Sequence, residues 1–159
     1  MRFSPGPYTR EQTQTVLDKL LSWNRAGLPS QFAVTLRPTE LKTGCNSESF
    51  REQAVALLGY CGFFHQVVDE TNEIEIGYRL HPDHWNQGLA TEAAIAVRDH
   101  GLADLKLSRV ISLIHPDNAA SRRVAEKIGM LPERKTRFKG FPAQIFALNR
   151  PRWLANRVG

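Results

Sequence analysis

Two cysteines, Cys45 and Cys61, are all that this 159-residue chain contains. Two thiols are too few for a disulfide framework, and the five histidines do not fall beside them at the spacing of a zinc site. No metal centre is expected. No hydrophobic run approaches the roughly 20 residues that a membrane-spanning helix requires. The polar, proline-containing start is not the pattern of a signal peptide. A cytoplasmic protein without a membrane partner is therefore expected. Acidic side chains are also in deficit, with 16 Asp and Glu against 21 Lys and Arg, a formal charge of +5. That excess suits an anionic ligand. Its densest stretch, Arg134, Lys135, Arg137 and Lys139, falls largely on alternate positions of a predicted strand, which places most of it in solvent. A nucleic-acid partner is not favoured.

What the chain does have is the composition of a globular protein, 42% hydrophobic and 23% charged, with length enough for one core. Residues 1–159 are expected to form a single domain. Thr9-x-x-Gln12 is a capping box, and Val16, Leu17, Leu20 and Leu21 follow at helical spacing, with Gly27 as the stop. Phe32, Val34 and Leu36 recur at every second position, so 31–37 is predicted as a strand. Residues 39–53 are polar and read as a loop. An apolar run over 54–65, a turn at 69–72 and a strand over 73–80 predict a hairpin. Then follow a helix over 90–103, a buried strand over 109–115 and a helix over 118–129. A last hairpin joins 134–139 to 144–148 through Gly140-Phe141-Pro142. Strands and helices thus alternate in the manner of a mixed α/β sheet.

The most informative stretch runs Leu80-His81-Pro82-Asp83-His84-Trp85-Asn86-Gln87-Gly88-Leu89 and continues Ala90-Thr91-Glu92-Ala93. It leads from the apolar strand into an Ala-rich helix. A strand delivered to a glycine-containing helix start leaves backbone N–H groups unpaired and pointing one way, a site suited to phosphate or pyrophosphate. Gly88 lets the backbone come close to such a ligand, and small Ala90 keeps the helix start uncrowded. A second motif, His115-Pro116-Asp117-Asn118-Ala119-Ala120-Ser121, opens a helix that closes Glu126-Lys127-Ile128-Gly129-Met130. Asn118 is a good helix cap and Gly129 a good terminator.

In order and spacing, these two motifs resemble the acyl-CoA signatures of the GNAT acyltransferase superfamily. The branch they resemble is that of the ribosomal-protein-alanine N-acetyltransferases. The resemblance covers about residues 57–154. It implies a mixed, mostly antiparallel sheet flanked by helices, lacking the superfamily's usual first strand and helix. A sheet edge left uncovered in that way would favour a homodimer. It implies acetyl-CoA as cosubstrate, with its pyrophosphate on the amides of Gln87, Gly88, Leu89, Ala90 and Thr91. Its pantetheine arm would lie along Tyr78, Arg79 and Leu80, with Asn118 and Ser121 near the sulfur.

The reaction implied is direct transfer of an acetyl group to a primary amine, either a protein N-terminus or a small amine. Such a reaction needs proximity, a proton acceptor for the amine and a donor for the departing thiolate. Glu75 is the expected acceptor, with Glu73 weaker because it lies beside the turn, and His115 an alternative relay at the neighbouring strand end. The superfamily often carries a Tyr four residues before the helix-ending glycine; here that position is Ala125. Ser121 is then the expected hydrogen-bond donor to the sulfur. Two other readings remain open: a CoA-binding sensor without turnover, and a basic nucleic-acid or ribosome-binding domain.

Overall fold

The computed structural model describes residues 8–36 and 56–156. Its elements, in chain order, are α1 (Arg10–Arg25), β1 (Gln31–Thr35), β2 (Leu57–Val68), β3 (Thr71–Leu80), α2 (Leu89–Asp99), β4 (Arg109–Ile114), α3 (Ala119–Lys127), β5 (Leu131–Phe138), β6 (Phe141–Asn149) and α4 (Arg150–Ala155). The predicted loop over 39–53 lies outside the described residues. Six strands form one sheet in the order β1-β2-β3-β4-β6-β5. All neighbours are antiparallel except β3 and β4. A parallel pair needs a crossover between its strands, and α2 supplies it.

Alternation along the strands decides which face is covered. Cys61, Phe63, Ile76, Val110, Ile114, Phe146 and Leu148 point to one side, where Ala94 and Val97 of α2, Ala125 of α3 and Trp153 of α4 complete the main core. Phe63, Val110 and Ala94 have no exposed surface at all. On the other face a smaller cluster holds Val68, Ile111 and Ile145. Glu75 faces that second side, because strand neighbours alternate and Ile76 is in the first core.

The capping box at Thr9 and Gln12 forms as expected, with both reciprocal bonds. The apolar stripe that follows does not find a core, however. Val16, Leu17 and Leu21 stay exposed, and so do Phe32 and Leu36 of the alternating β1 pattern. Among the described residues β1 is an edge strand whose only partner is β2.

Three local expectations are corrected. The β2–β3 turn is not four residues but two, Asp69 and Glu70, both left-handed at φ 49° and 62°. That is the tight hairpin geometry glycine usually supplies. Here the Asp69 carboxylate braces it by accepting from Thr136 Oγ1 at 2.7 Å and Arg134 Nη2 at 3.2 Å. The last hairpin turns at Lys139-Gly140, not at Gly140-Phe141-Pro142, again with both residues at positive φ. The predicted helix over 90–103 ends at Asp99 and continues as a π turn over His100–Asp104. The short helix α4 was not predicted. Its signal is Pro151 just inside the helix start.

Candidate active site

The parallel β3–β4 ladder contains one residue pair, Glu75 with Ile111. Past that pair the strands part. Two side chains occupy the point of separation. Ser112 Oγ donates to the Ile76 carbonyl at 2.8 Å. The Leu113 amide, which a continued ladder would direct at the β3 main chain, donates instead to Glu75 Oε1 at 3.3 Å. On the other side of the pair the strands are held shut by charge. Arg109 Nε meets Glu73 Oε2 at 3.1 Å, and Arg109 Nη1 meets Glu133 Oε2 at 2.8 Å.

The separation opens a cavity of about 230 Å³ lined by Glu75, Tyr78, Arg79, Leu113, Asn118 and Ser121, among others. It passes through the sheet. Glu75 and Leu113 belong to the second face, whereas Tyr78 packs against the main core and Ser121 lies on α3. A larger cavity of about 680 Å³ lies between β1 and α2. Phe32, Val34, Ala93 and Val97 make it mainly apolar; of the predicted site residues only Leu89 lines it, and Glu75, His115 and Ser121 do not.

The phase of the β2–β3 ladder determines what the main chain offers the cavity. The His81 amide donates to the Leu58 carbonyl at 2.8 Å. In an antiparallel pair every second residue bonds its partner and the others turn away. The register Gly59–Leu80 and Cys61–Tyr78 therefore turns the N–H groups of Tyr78 and Leu80 away from β2, toward the gap. The Leu80 carbonyl on that side is taken by the Trp85 indole at 2.9 Å. An extended ligand can bond there as an added strand does.

The loop after β3 ends in a glycine-capped helix. Gly88 caps α2 with φ 81°, a conformation that favours glycine. A Cβ built there would meet nothing within 4 Å, so the space over this helix start is open to a ligand. Thr91 and Glu92 amides both donate to the Gly88 carbonyl. Thr91, expected in the phosphate cradle, thus has its N–H already engaged, leaving Gln87, Gly88, Leu89 and Ala90 of the expected cradle. Gln87 braces the loop from its side chain, donating to the Asp83 carbonyl at 3.0 Å.

Asn118 caps α3, its Oδ1 accepting from the Ser121 amide at 3.1 Å. Its side-chain oxygen therefore has a structural duty as well as a place in the cavity wall. Glu75 Oε2 accepts from Gln66 Nε2 at 2.8 Å. Burial nevertheless raises the Glu75 pKa above the ordinary carboxylate value, against the opposing hydrogen bonds from Gln66 and Leu113 and the more distant charge of Lys139. Burial likewise raises the Tyr78 pKa, outweighing a side-chain hydrogen bond with Ser121. A carboxylate inclined to take a proton and a phenol inclined to keep one therefore share the cavity.

His115 is not among the cavity-lining residues. Its Nδ1 accepts from the Asp117 amide at 3.2 Å, which ties the ring into the turn before α3. Glu73 is taken up by Arg109. Three contributors escaped the sequence reading: Gln66, Ser112 and the hydroxyl of Tyr78. Gln66 was findable, since the hairpin register sets it diagonal to Glu75 on the same face.

A family profile described as the acetyltransferase (GNAT) domain matches residues 1–131. The N-acetyltransferase YnaD of Bacillus subtilis (strain 168), itself uncharacterized, is 30% identical over 134 residues, 84% of this chain and 66% of its own length. The chain spans 42% and 66% of the lengths of two curated Bacillus subtilis relatives that it matches. Among solved structures, a GNAT-family acetyltransferase from Bacillus anthracis superposes with a TM-score of 0.65 at 28% identity, covering 92% of this chain and 78% of that one. The ribosomal-protein-S5-alanine acetyltransferase of Vibrio fischeri gives 0.70 at 15% identity, covering 94% and 79%, a likeness of fold.

Proposed function

The chain belongs to the GNAT acetyltransferase family, and on that premise we propose that it moves an acetyl group from acetyl-CoA to a primary amine by direct attack. The acceptor is a protein N-terminus or a small amine. The observation that carries this reading is the cavity through the sheet, with a carboxylate of raised pKa on one face and hydroxyls on the other. Glu75 takes the proton that the amine must lose in order to attack. The N–H groups of Tyr78 and Leu80 align the pantetheine arm, and that of Leu80 also serves as donor to the thioester oxygen. The amides at Gln87, Gly88, Leu89 and Ala90 hold the pyrophosphate, where the open space over Gly88 leaves room for it. Ser121 stands beside the sulfur.

A second reading is supported by Ala125, which offers no proton to the cavity it lines: a protein that binds CoA and does not turn it over. One pair of experiments separates the two. Calorimetry with acetyl-CoA measures binding, and release of free thiol measures turnover. The amines offered are an alanine-initiated peptide, spermidine and an aminoglycoside. Binding with thiol release supports transfer, and binding without release supports the sensor. Gly88→Glu places a charged side chain in the open space over the helix start and abolishes binding in a protein that keeps its circular dichroism. Wild-type affinity in that variant rules out the pyrophosphate placement.

A further inference from the structure

On the α3 side the cavity presents four polar side chains: Ser112, Asn118, Ser121 and Tyr78. The Ser112 hydroxyl already gives its proton to the Ile76 carbonyl, which leaves two hydroxyls that an anion could use. Asn118 uses its oxygen to cap α3. Of the two hydroxyls, an aliphatic alcohol is a far weaker acid than a phenol, whose ordinary pKa near 10 lies within about two units of a thiol's. Tyr78 is partly buried, packs against the main core, and lines the same cavity as Ser121. The charged side chains lining the cavity, Glu75 and Arg79, belong to the other face of β3. Across the ladder on β2 stands Cys61, a buried thiol pushed up to about 12 and so uncharged. β4 contributes Ser112, Leu113 and Ile114 to the wall, and α3 contributes no charged residue to it. The phenol thus stays protonated, next to the gap into which its own N–H points.

We infer that the Tyr78 hydroxyl is the proton donor to the departing CoA sulfur, and that Ser121 positions it; this rests on the acetyl-transfer reading above. The amine nitrogen bonds to the acyl carbon as the carbon–sulfur bond breaks. The electron pair of that bond stays on sulfur, which takes the phenol proton and leaves as thiol. The amine proton goes to Glu75 and returns to the Tyr78 oxygen through water, so the protein ends as it began. Base and acid then work from opposite faces of one sheet, through the single opening between β3 and β4.

Tyr78→Phe keeps the ring and removes the proton. Thiol release by the wild type is measured first with the three amines named above. If the wild type binds acetyl-CoA and releases no thiol, the acetyl-transfer reading fails and takes this inference with it. If the wild type turns over, Tyr78→Phe lowers kcat on the order of 10²-fold, the usual scale of a general acid, at unchanged KM for acetyl-CoA. A second readout needs no turnover. By calorimetry the wild type binds CoA about fivefold more tightly than desulfo-CoA, the scale of one hydrogen bond, and Tyr78→Phe binds the two equally. Wild-type kcat in Tyr78→Phe, or an unchanged preference for CoA, overturns the inference. Should Tyr78→Phe fail to fold, difluorotyrosine at position 78 keeps the shape and gives a more acidic phenol. The alkaline limb of kcat then moves to lower pH, and an unmoved limb overturns the inference equally.

Discussion

Glu73 and Glu75 lie two residues apart on the same face of β3, yet the structure gives them opposite work. Glu73 is buried and meets a cation, Arg109, which also reaches Glu133. Glu75 meets neutral donors, the Gln66 amide and the Leu113 N–H, with Lys139 acting only from a distance. A carboxylate matched by a guanidinium is a clamp, and this one closes the β3–β4 pair below its single ladder bridge. A buried carboxylate stays inclined to accept a proton even against two hydrogen-bond donors, and this one sits at the mouth of the opening. A guanidinium partner at Glu73, against burial among uncharged donors at Glu75, separates the two carboxylates here.

Exchanging the properties of the two carboxylates breaks the comparison most visibly at Glu75. Glu75→Gln preserves the bond from Leu113 and removes the proton acceptor. Thiol release with an accepted amine then falls on the order of 10²-fold or more. The same substitution stabilises the fold at neutral pH. A folded-state pKa above the unfolded one means that stability is greatest below the unfolded value and declines as pH rises through the raised value. Gln carries no such penalty, so melting temperatures of wild type and Glu75→Gln converge at low pH and separate above it. Equal melting temperatures across that range would show that Glu75 is not held in a costly charged state.

At the clamp the effect moves from rate to stability. Arg109→Ala leaves Glu73 buried without its cation and costs about 3 kcal/mol in chemical denaturation. Turnover per folded molecule changes little, because Arg109 does not line the cavity. A loss of turnover larger than the loss of folded protein would mean that the closed end controls the open one. Ser121→Ala comes next, with a fall in kcat of about tenfold, the equivalent of about 1.4 kcal/mol, as a hydroxyl that lines the cavity with Tyr78 is lost. The smallest effect belongs to Glu133→Gln. That carboxylate is exposed, and a surface ion pair is worth less than about 1 kcal/mol, so denaturation midpoints shift only slightly.

The element order and the two motif helices were legible because their signals are local. Thr9 with Gln12 and Asn118 cap where the sequence places them. The tight turn at Asp69-Glu70 was not legible, since neither residue is a glycine. It is held by Thr136 and Arg134 from a strand some 65 residues away in sequence. The front of the described chain misled in a different way. Helical spacing in α1 and alternation in β1 are real, but spacing says only which side chains share a face. It does not supply the partner, and Leu17, Leu21, Phe32 and Leu36 remain exposed.

The site divided along the same line. Glu75 and Ser121 could be named from motif spacing, and the cavity brings them together. Ser112 and the Tyr78 hydroxyl could not, because each matters only through the place where β3 leaves β4; Gln66 followed from the hairpin register and not from motif spacing. That departure is a tertiary event, fixed by Ser112 on the Ile76 carbonyl and Glu75 on the Leu113 amide. The Glu73–Arg109 clamp was likewise invisible, being a contact between strands far apart in the chain.

The most direct test of the claim that Glu75 is the proton acceptor is its own titration. The Glu75 carboxyl carbon is followed by NMR in carbon-13-labelled protein, beside the pH dependence of kcat/KM. The account predicts that Glu75 titrates above the ordinary glutamate value of about 4.3. It also predicts that the acid limb of kcat/KM rises through that same pH and disappears in Glu75→Gln. A Glu75 that titrates at or below the ordinary value, or an acid limb that survives in Glu75→Gln, would contradict it.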